Sequence, residues 1–498
     1  MTGPNRFRFL NEARDLDGRG AWNDPETPKR WLYNLHYFDD LNAEGAGARR
    51  EWHLALIRQW VEENPPAWGI GWEPYPTSLR IVNWIKWDLG GNGLSQETVD
   101  SLAIQARWLD RNLETYLLGN HLFANAKALV FAGAFFQGEE AEGWLRKGLE
   151  ILRREVPEQI LPDGGHFERS PMYHSLILED LLDLVNLSLA FPGLIQDGRG
   201  VPTRGWENAA FRMRSWLQAM LHPDGEIALF NDAAFGIAPS PEQLERYANR
   251  LGLRSVSVPS DVITHLRESG YVRIRKGNVV ALLDVAPLGP DYLPAHGHAD
   301  TLSFELSVHG IRVVVDAGTS CYEEGPQRLY LRGTPAHNTV VVDGEDSSEV
   351  WGAFRVARRA RPHGASAAEW GGVACVTCAH DGYRRLRGKV VHRRTWKIAN
   401  DRLRIEDFLE GRFRNAQGGF LLHPAVAAAS KAEGLLRDGT SGGEWLLPSG
   451  RRVAWRVDAG EGRFMPAKYH PEFGLAQNTA RLVVDFPRER NALEMTWD

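Results

Sequence analysis

The spacing of the apolar residues changes near residue 257, and this change constrains the fold more than any other feature of the sequence. From about residue 29 to 250, apolar residues recur every three or four positions, as in "SLILEDLLDLVNLSLAF". Such runs, separated by Gly, Pro or Asn, predict successive antiparallel helical hairpins. From about residue 260 the period is two, as in "TLSFELSVHGIRVVVDAG", which predicts antiparallel strands. We therefore expect a multidomain chain, with a helical domain over residues 1–257 and an antiparallel β-sandwich domain over residues 258–498.

Length, charge and cysteine content exclude several classes of protein. A chain of 498 residues exceeds the usual size of one domain, and its 43% hydrophobic and 24% charged residues are typical of globular proteins. A net charge of −6 excludes a generally basic nucleic-acid binder. Three cysteines argue against a disulfide scaffold. Cys375 and Cys378, in "CVTC", fall in a strand-like run where positions three apart face opposite sides, which disfavours a redox or zinc motif.

The sequence shows neither a membrane span nor an export signal. It has no run of about 18 apolar residues, and residues 1–20 lack the apolar centre of a signal peptide. We expect no membrane partner and a cytoplasmic location by default, or a periplasmic or secreted one if a signal had been removed.

The segment "GNHLFANAKALVFAG", residues 119–133, is the first of three that could carry chemistry. Asn120 precedes an Ala-rich helical run and stands where an N-cap residue belongs. The alternative is that its amide binds an anion at the start of the helix. Both interpretations are open at this point.

The second segment, "LPDGGHFERSPMYHSLILEDLL" over residues 161–182, crowds polar side chains behind a glycine-rich loop. Ser170 followed by Pro171 predicts the N-cap and first residue of a helix, with Tyr173 and His174 in its first turn. A solvated turn and helix start is the alternative, because polar clusters usually lie at the surface. The polar group also contains His166, Glu168 and Arg169.

The third segment, "PAHGHADTLSFELSVHG", places two histidines in front of an alternating run. His298, Asp316 and His337 offer imidazole and carboxylate ligands for zinc or another divalent ion. His296 is left over and could act on a substrate. Two closely spaced histidines alone would be a weak signal, but three separate elements ending in ligand types strengthen it.

The expected hairpin geometry sets a condition on this metal set. If residues 309–310 form a two-residue turn, Asp316 lies opposite Ser303. His298 would then lie roughly 16 Å further along an extended strand, at about 3.3 Å per residue. The segment must fold back for the ligands to converge, and Gly297 permits such a bend.

The loop "PPAWGIGWEPYPTSLR", residues 65–80, concentrates aromatic side chains among Pro and Gly. Core packing is the common role of any single tryptophan. A loop rich in Trp and Tyr also commonly lines a binding cleft, and a groove that stacks sugar rings would use these side chains.

Taken together and in this order, the segments resemble the heparinase II/III-like polysaccharide lyases, with polysaccharide lyase family 35 as the closest guess. The matching pieces are "NLHYFDDL", "GNHLFANAKAL", "DGGHFERSPMYH", "HGHADTLSFEL", "VVVDAGTSCY" and "AHNTVVVDG". They span residues 34–344, whereas the last 150 or so residues match only in general β character. The resemblance implies an incomplete (α/α) toroid followed by antiparallel β-sheets.

The resemblance also implies roles for individual residues. The implied catalytic residues are Asn120, Tyr173 and His296. The implied ligands of one divalent ion, structural and most simply zinc, with manganese or calcium as alternatives, are His298, Asp316 and His337. As substrate contacts we predict His121, Arg169, His174, Arg80 and Trp72, since guanidinium groups bind carboxylate or sulfate bidentately and aromatic rings stack on sugars.

The implied reaction is β-elimination from an anionic uronic-acid polysaccharide, a glycosaminoglycan or alginate. A base removes the C5 proton and the bond from C4 to the bridging oxygen breaks. Asn120, helped by His121, would neutralise the uronate carboxylate. Tyr173 would protonate the leaving oxygen, and it would also act as base for one C5 configuration, with His296 as base for the other.

Two other functions compete with this one. A glycoside hydrolase needs two carboxylates across the scissile bond, for which Glu168 with Asp163 or Glu179 could serve. A non-catalytic carbohydrate-binding protein would explain the aromatic residues but not the set of Asn, Tyr and His.

Overall fold

The structure is a computed structural model that describes residues 1–18, 20–195 and 203–498. Helices dominate its first half, which confirms the predicted order of helices before strands. The helices are α1 (Lys29–Tyr37), α2 (Arg50–Glu63), α3 (Pro74–Trp87), α4 (Gln96–Arg111), α5 (Gly119–Phe135), α6 (Glu139–Gln159), α7 (Pro171–Ala190), α8 (Thr203–Ala219), α9 (Pro241–Arg250), α10 (Pro326–Arg332) and α11 (Pro424–Ala432).

Strands follow from residue 263 onward, apart from a short hairpin near the start. The strands are β1 (Arg6–Phe9), β2 (Glu12–Asp15), β3 (Ile263–Leu266), β4 (Tyr271–Lys276), β5 (Val279–Asp284), β6 (Phe304–Val308), β7 (Ile311–Val314), β8 (Val340–Val342), β9 (Val350–Trp351), β10 (Arg355–Val356), β11 (Pro362–Trp370), β12 (Val373–His380), β13 (Val391–Ile398), β14 (Arg402–Glu410), β15 (Ala416–Leu421), β16 (Gly442–Leu446), β17 (Arg452–Val457), β18 (Gly462–Tyr469), β19 (Gln477–Asp485) and β20 (Arg490–Trp497).

Three larger sheets organise these strands, and the pairs within them are antiparallel. Their strand orders are β3-β4-β5-β6-β7, β11-β12-β13-β14-β20-β17-β16 and β18-β19-β15-β8. The β6–β7 hairpin turns at residues 309–310 as predicted, with Val308 opposite Ile311. A shift in register between Leu306 and Ser307 then moves the pairing by one position. The expected place of Asp316 opposite Ser303 assumed a regular hairpin and therefore does not follow.

One apolar core joins the three sheets. Side chains alternate along the strands, as in β14, where every second residue is buried. The buried members include large aromatic residues from different sheets, among them Phe304, Trp396, Phe420 and Trp445. Because such side chains remove much apolar surface from water, this shared core stabilises the sheets together. Cys378 in β12 is buried and Cys375 is half-buried, and both are free thiols.

Helix α5 is buried along nearly its whole length, which explains its almost continuous apolar sequence. Two glycines bring it against α6. A Cβ atom on Gly133 would lie 2.6 Å from the Leu145 nitrogen, and one on Gly148 would lie 2.7 Å from the Ala126 oxygen. Glycine is therefore required at both positions.

The chain forms two compact units, one of residues 1–159 with 180–208 and one of residues 160–179 with 209–498. The predicted boundary at residue 257 lies where helices give way to strands, whereas the units divide within α7 and α8. The closure of the helices into a toroid stays a prediction. Among the described residues, none of the helices is both long enough and apolar enough to cross a membrane.

Candidate active site

The segment that carries His296 and His298 folds back at two tight turns, as the hairpin geometry required. The Gly297 amide donates to the Pro294 carbonyl at 3.1 Å, and the Ser303 amide donates to the Asp300 carbonyl at 2.8 Å. A Cβ atom on Gly297 would lie 2.2 Å from the Leu288 side chain, so the first turn accepts only glycine.

His296 lies within a group of polar and aromatic side chains in the second unit. Its Nδ1 is 2.9 Å from Asp232 Oδ2, and its Nε2 is 3.7 Å from Glu168 Oε2. The Tyr173 ring packs against the imidazole with 4.0 Å between centroids. Tyr173 Oη is 3.1 Å from Tyr322 Oη. Tyr173 and His296 thus lie in one site, and their catalytic roles stay a prediction.

The start of α7 places Tyr173 as the sequence predicts. The Ser170 hydroxyl accepts a hydrogen bond from the Tyr173 amide at 3.2 Å, which is the expected N-cap contact, and Pro171 is the first helical residue. Arg169, just before the cap, has a φ of 60°, an uncommon value for a residue with a side chain.

Sequence reasoning missed three residues of this site: Asp232, Tyr322 and Arg328. Arg328 is buried, and both of its terminal nitrogens donate to the Asp232 carboxylate, Nη2 at 2.7 Å. Its guanidinium also lies 4.8 Å from the centre of the Tyr322 ring. Tyr322 stands in the quoted "VVVDAGTSCY", but nothing in that motif pairs it with a residue 149 positions earlier.

The implied metal ligands share a buried neighbourhood. His337 Nδ1 is 2.8 Å from Asp316 Oδ2, and the rings of His298 and His337 are 5.3 Å apart. Within the described residues, His298 Nδ1 and His337 Nε2 have no hydrogen-bond partner. Burial raises the pKa of nearby Asp300 to about 6, with His337 lowering it and Asp316 raising it further.

The donor types and the two unpartnered nitrogens suit a divalent cation. However, no three His, Cys, Asp or Glu side chains among the described residues have the spacing of a formed metal site. The ligand set therefore stays a prediction.

Asn120 and His121 lie in the first unit, at the start of α5. The N-cap prediction for Asn120 is wrong, because α5 already begins at Gly119 and Leu118 occupies the cap position with a φ of 60°. Asn120 is mostly buried and its anion-binding role stays a prediction. His121 is partly exposed, and its Nδ1 is 3.0 Å from Glu114 Oε1.

Glu114, which sequence reasoning also missed, orients this segment. Its carboxylate accepts from Asn125 Nδ2 at 3.0 Å, and its amide donates to Asn125 Oδ1 at 2.8 Å. The Tyr75 ring packs 4.5 Å from the His121 ring. His121 is thus held between a carboxylate and an aromatic ring, which is compatible with a substrate contact.

Burial contradicts the predicted substrate contacts of Arg80 and Trp72. Arg80 is fully buried, lies 3.8 Å over the Trp60 ring and donates to Gln105 Oε1 at 2.8 Å. The Trp72 indole is buried and donates to the Asn64 carbonyl at 3.2 Å. The exposed aromatic residue of this loop is Trp68, whose surface is 55% accessible.

His174 and Arg169 are likewise parts of the scaffold. His174 is fully buried and stacked on Trp216, and its ring nitrogens bond to main-chain groups of His166 and Met213. Arg169 is almost fully buried, and its guanidinium donates to the carbonyls of Ser269 and Phe167. His174, whose two ring nitrogens both have partners, cannot also bind a substrate carboxylate, so that prediction is wrong, whereas the substrate contact of Arg169 stays a prediction.

Comparison with known proteins relates both halves of the chain to heparinase II/III-like sequences. Sequence models described as the heparinase II/III N-terminus and the heparinase II/III-like C-terminal region match residues 49–249 and 259–498. FtsZ-localized protein C of Caulobacter vibrioides is 26% identical over 514 residues, which cover 96% of this chain and 84% of that protein. A heparin-sulfate lyase of Bacteroides stercoris is 27% identical over 254 residues, which cover 46% of this chain and only 36% of the lyase.

A solved structure of heparinase III has the same fold. The two structures align with a TM-score of 0.79 at 18% identity, over 97% of this chain and 80% of the other. At this identity the likeness shows the arrangement of helices followed by antiparallel sheets.

We predict that replacing His174 by Phe changes the pH dependence of stability. Burial lowers the pKa of His174 to about 3, below the unfolded value of about 6.5, so its neutral form is the one that folds. As the pH falls from 8 to 5, this histidine takes up a proton in the unfolded state but not in the folded state. The free energy of unfolding of the wild-type protein therefore falls by about 2 kcal/mol because of this residue. The phenylalanine variant has no such pH dependence at this position. It lacks the two hydrogen bonds of His174, which lowers its free energy of unfolding by about 1–3 kcal/mol at pH 8.

Urea unfolding at both pH values measures the effect. The gap in unfolding free energy between the two proteins should be present at pH 8 and nearly closed at pH 5. A gap that stays constant would contradict the burial of a neutral His174.

Proposed function

This chain belongs to the heparinase II/III-like family, and on that premise we propose that it is a polysaccharide lyase acting on anionic uronic-acid polysaccharides. Glycosaminoglycans are the first substrates proposed, and alginate is the second. The observation that carries the proposal is the packing of the Tyr173 phenol against the His296 imidazole, 4.0 Å apart. These two groups are the acid and base types that β-elimination needs. No nucleic acid or membrane has a part in this proposal.

The proposed reaction removes the C5 proton of a uronate and expels the oxygen on C4. The electron pair of the C5–H bond forms the C4=C5 double bond, the C4–O bond breaks, and the departing oxygen takes a proton. Negative charge grows on a carboxylate that is already negative, so donors that neutralise it favour the transition state over the ground state. Asn120, with His121 beside it, is proposed for this task.

Tyr173 and His296 are proposed for the proton transfers. Tyr173 Oη, which lies 3.1 Å from Tyr322 Oη, protonates the leaving oxygen. For one C5 epimer, the same oxygen atom first takes the C5 proton and then passes a proton to the leaving oxygen. His296 Nε2 takes the C5 proton of the opposite epimer. Arg328, whose guanidinium lies 4.8 Å from the Tyr322 ring centre, is the cationic neighbour of this pair of tyrosines.

The proposed metal is structural, with His298, Asp316 and His337 as its ligands. Two of these side chains keep an unpartnered nitrogen among the described residues, and Asp300 adds a carboxylate to the same buried neighbourhood. A bound cation would neutralise these carboxylates and fix the segment that carries His296.

A second candidate function is association with FtsZ. The observation that favours it is the match to FtsZ-localized protein C, which covers 96% of this chain, against 46% for the lyase of Bacteroides stercoris. Co-sedimentation with FtsZ polymers would separate the candidates, since polymer binding that persists in a Tyr173→Phe variant is independent of the lyase chemistry.

We predict that the protein produces unsaturated uronate ends and that Tyr173→Phe lowers kcat by about 10²–10⁴-fold. The variant keeps the ring but cannot protonate the leaving oxygen. Ultraviolet absorbance of the unsaturated product is followed on hyaluronan, chondroitin, heparan sulfate and alginate.

Tyr330→Phe is the matched control, because Tyr330 is an exposed tyrosine of α10 and should keep wild-type activity. Cleavage without the unsaturated product would favour a glycoside hydrolase. Binding without cleavage would favour a carbohydrate-binding protein. Full activity in Tyr173→Phe would refute the role of Tyr173.

We predict that the purified protein contains about one equivalent of a divalent metal, and zinc is the metal that we expect. His337→Ala should lose this metal, because it removes one ligand and leaves Asp316 unpaired. Chelation should lower the melting temperature of wild-type protein by several degrees.

Mass spectrometry of metal content and thermal unfolding provide the two measurements. His309→Ala, at the partly exposed tip of the β6–β7 hairpin, should keep the wild-type metal content. Metal-free protein that is insensitive to chelator would rule out the site.

A further inference from the structure

The carboxylate of Asp232 is a buried acceptor shared by two histidines and an arginine. Its Oδ2 lies 2.9 Å from His296 Nδ1, and its Oδ1 lies 2.8 Å from His298 Nε2. Arg328 donates to both oxygens, and the Thr319 hydroxyl lies 3.3 Å from Oδ1. The side chain has no solvent-accessible surface.

An ionised carboxylate accepts hydrogen bonds and cannot donate them. Arg328 donates to both oxygens of this buried side chain, and an opposite charge in direct contact keeps a carboxylate ionised. Each histidine nitrogen that faces Asp232 must therefore carry a hydrogen. For a neutral His296 ring, the proton is on Nδ1 and the lone pair is on Nε2.

Nε2, which carries the lone pair in this tautomer, is the ring nitrogen that does not face Asp232. Nε2 is the nitrogen near Glu168, at 3.7 Å from its carboxylate, and the Tyr173 ring packs on the face of the imidazole. The opposite tautomer would present an N–H group to the substrate and could not accept a proton there.

The main chain of Asp232 has a separate task. Its amide donates to the His296 carbonyl at 3.1 Å, and its carbonyl accepts from the Ser170 hydroxyl at 2.5 Å. These bonds connect the loop to α7 and do not involve the carboxylate. Substitutions of the Asp232 side chain therefore do not remove these two main-chain bonds.

We propose that Asp232, fixed by Arg328, is a positioning residue that holds His296 as its Nδ1–H tautomer and thereby selects which C5 epimer is cleaved by the histidine base. The catalytic half of this inference rests on the proposed lyase function; the location of the proton does not. When His296 Nε2 takes the C5 proton, the resulting imidazolium faces the Asp232 carboxylate, while the C4 oxygen leaves with the proton of Tyr173.

The first experiment locates the proton without any substrate. Nitrogen-15 NMR of histidine-labelled protein distinguishes protonated from unprotonated ring nitrogens, and a His296→Gln variant assigns the signals. Wild type should show His296 protonated on Nδ1.

Two variants test the cause of this preference. Asp232→Asn keeps the shape of the side chain, and Asp232→Ala combined with Arg328→Met leaves neither charge buried without its partner. Both should give a mixture of the His296 tautomers. Retention of the Nδ1–H form in both variants would overturn the proposal.

The second experiment measures epimer selectivity with substrates that carry glucuronate or iduronate at the cleaved position. Asp232→Asn should lower kcat by about 10²–10⁴-fold, with little change in KM, for the epimer that His296→Ala also abolishes. The other epimer, served by Tyr173, should lose less than about tenfold. Equal losses for both epimers would mean a merely structural role and would overturn the inference.

Asp407→Asn is the matched control, because it alters the same kind of buried network, formed here by β13 and β14, without touching His296 or Asp232. Asp407 accepts from His392 Nε2 at 2.6 Å and from Arg394 Nε at 2.7 Å. It should lower stability without changing the His296 tautomer or the epimer ratio, and a change in either would count against the proposal. If wild type has no lyase activity, the proposed function fails, and the NMR result still decides where the proton lies.

Discussion

The geometry of the candidate active site depends on one buried charge, the carboxylate of Asp232. Burying an ionised carboxylate costs several kcal/mol unless charged partners surround it. Arg328 supplies the opposite charge, and His296 and His298 supply ring N–H groups. Three segments that are distant in sequence converge on this carboxylate, so its partners fix where the loop after residue 294 can lie. Removing one partner from such a group typically costs about 3–5 kcal/mol, because the remaining charge stays buried.

Uncommon backbone conformations occur in the same segments. Arg169, Asn231 and Leu302 have φ values of 60°, 58° and 69°, and each stands beside a residue of the site or of its supporting turns. Such conformations persist only where surrounding bonds hold them. The Asn231 side chain provides two of these bonds, donating to the Arg169 carbonyl at 3.1 Å and accepting from the His298 amide at 3.0 Å. The supporting network thus fixes both the side chains and the main chain that presents them.

Features that depend on local sequence could be predicted. The order of helices and strands follows from the apolar period, the start of α7 from Ser170 and Pro171, and the β6–β7 turn from residues 309–310. Each is decided within a few positions by backbone preferences and capping. The pairing of Tyr173 with His296 was expected only through family resemblance. Asp232 could not be assigned to the site from sequence, because it lies 64 positions before His296 in a run of mostly apolar residues.

The same limit explains the errors about Arg80 and His174. Their residue types indicate substrate contacts, but type alone does not reveal whether a polar group is buried among protein partners. His174 and His296 illustrate the point within one unit. His174 bonds to main-chain groups and stacks on Trp216, which makes it a neutral part of the core. His296 meets a carboxylate and a tyrosine instead. Since only the partners differ, the chemistry of each histidine is decided by contacts between distant segments rather than by its local sequence.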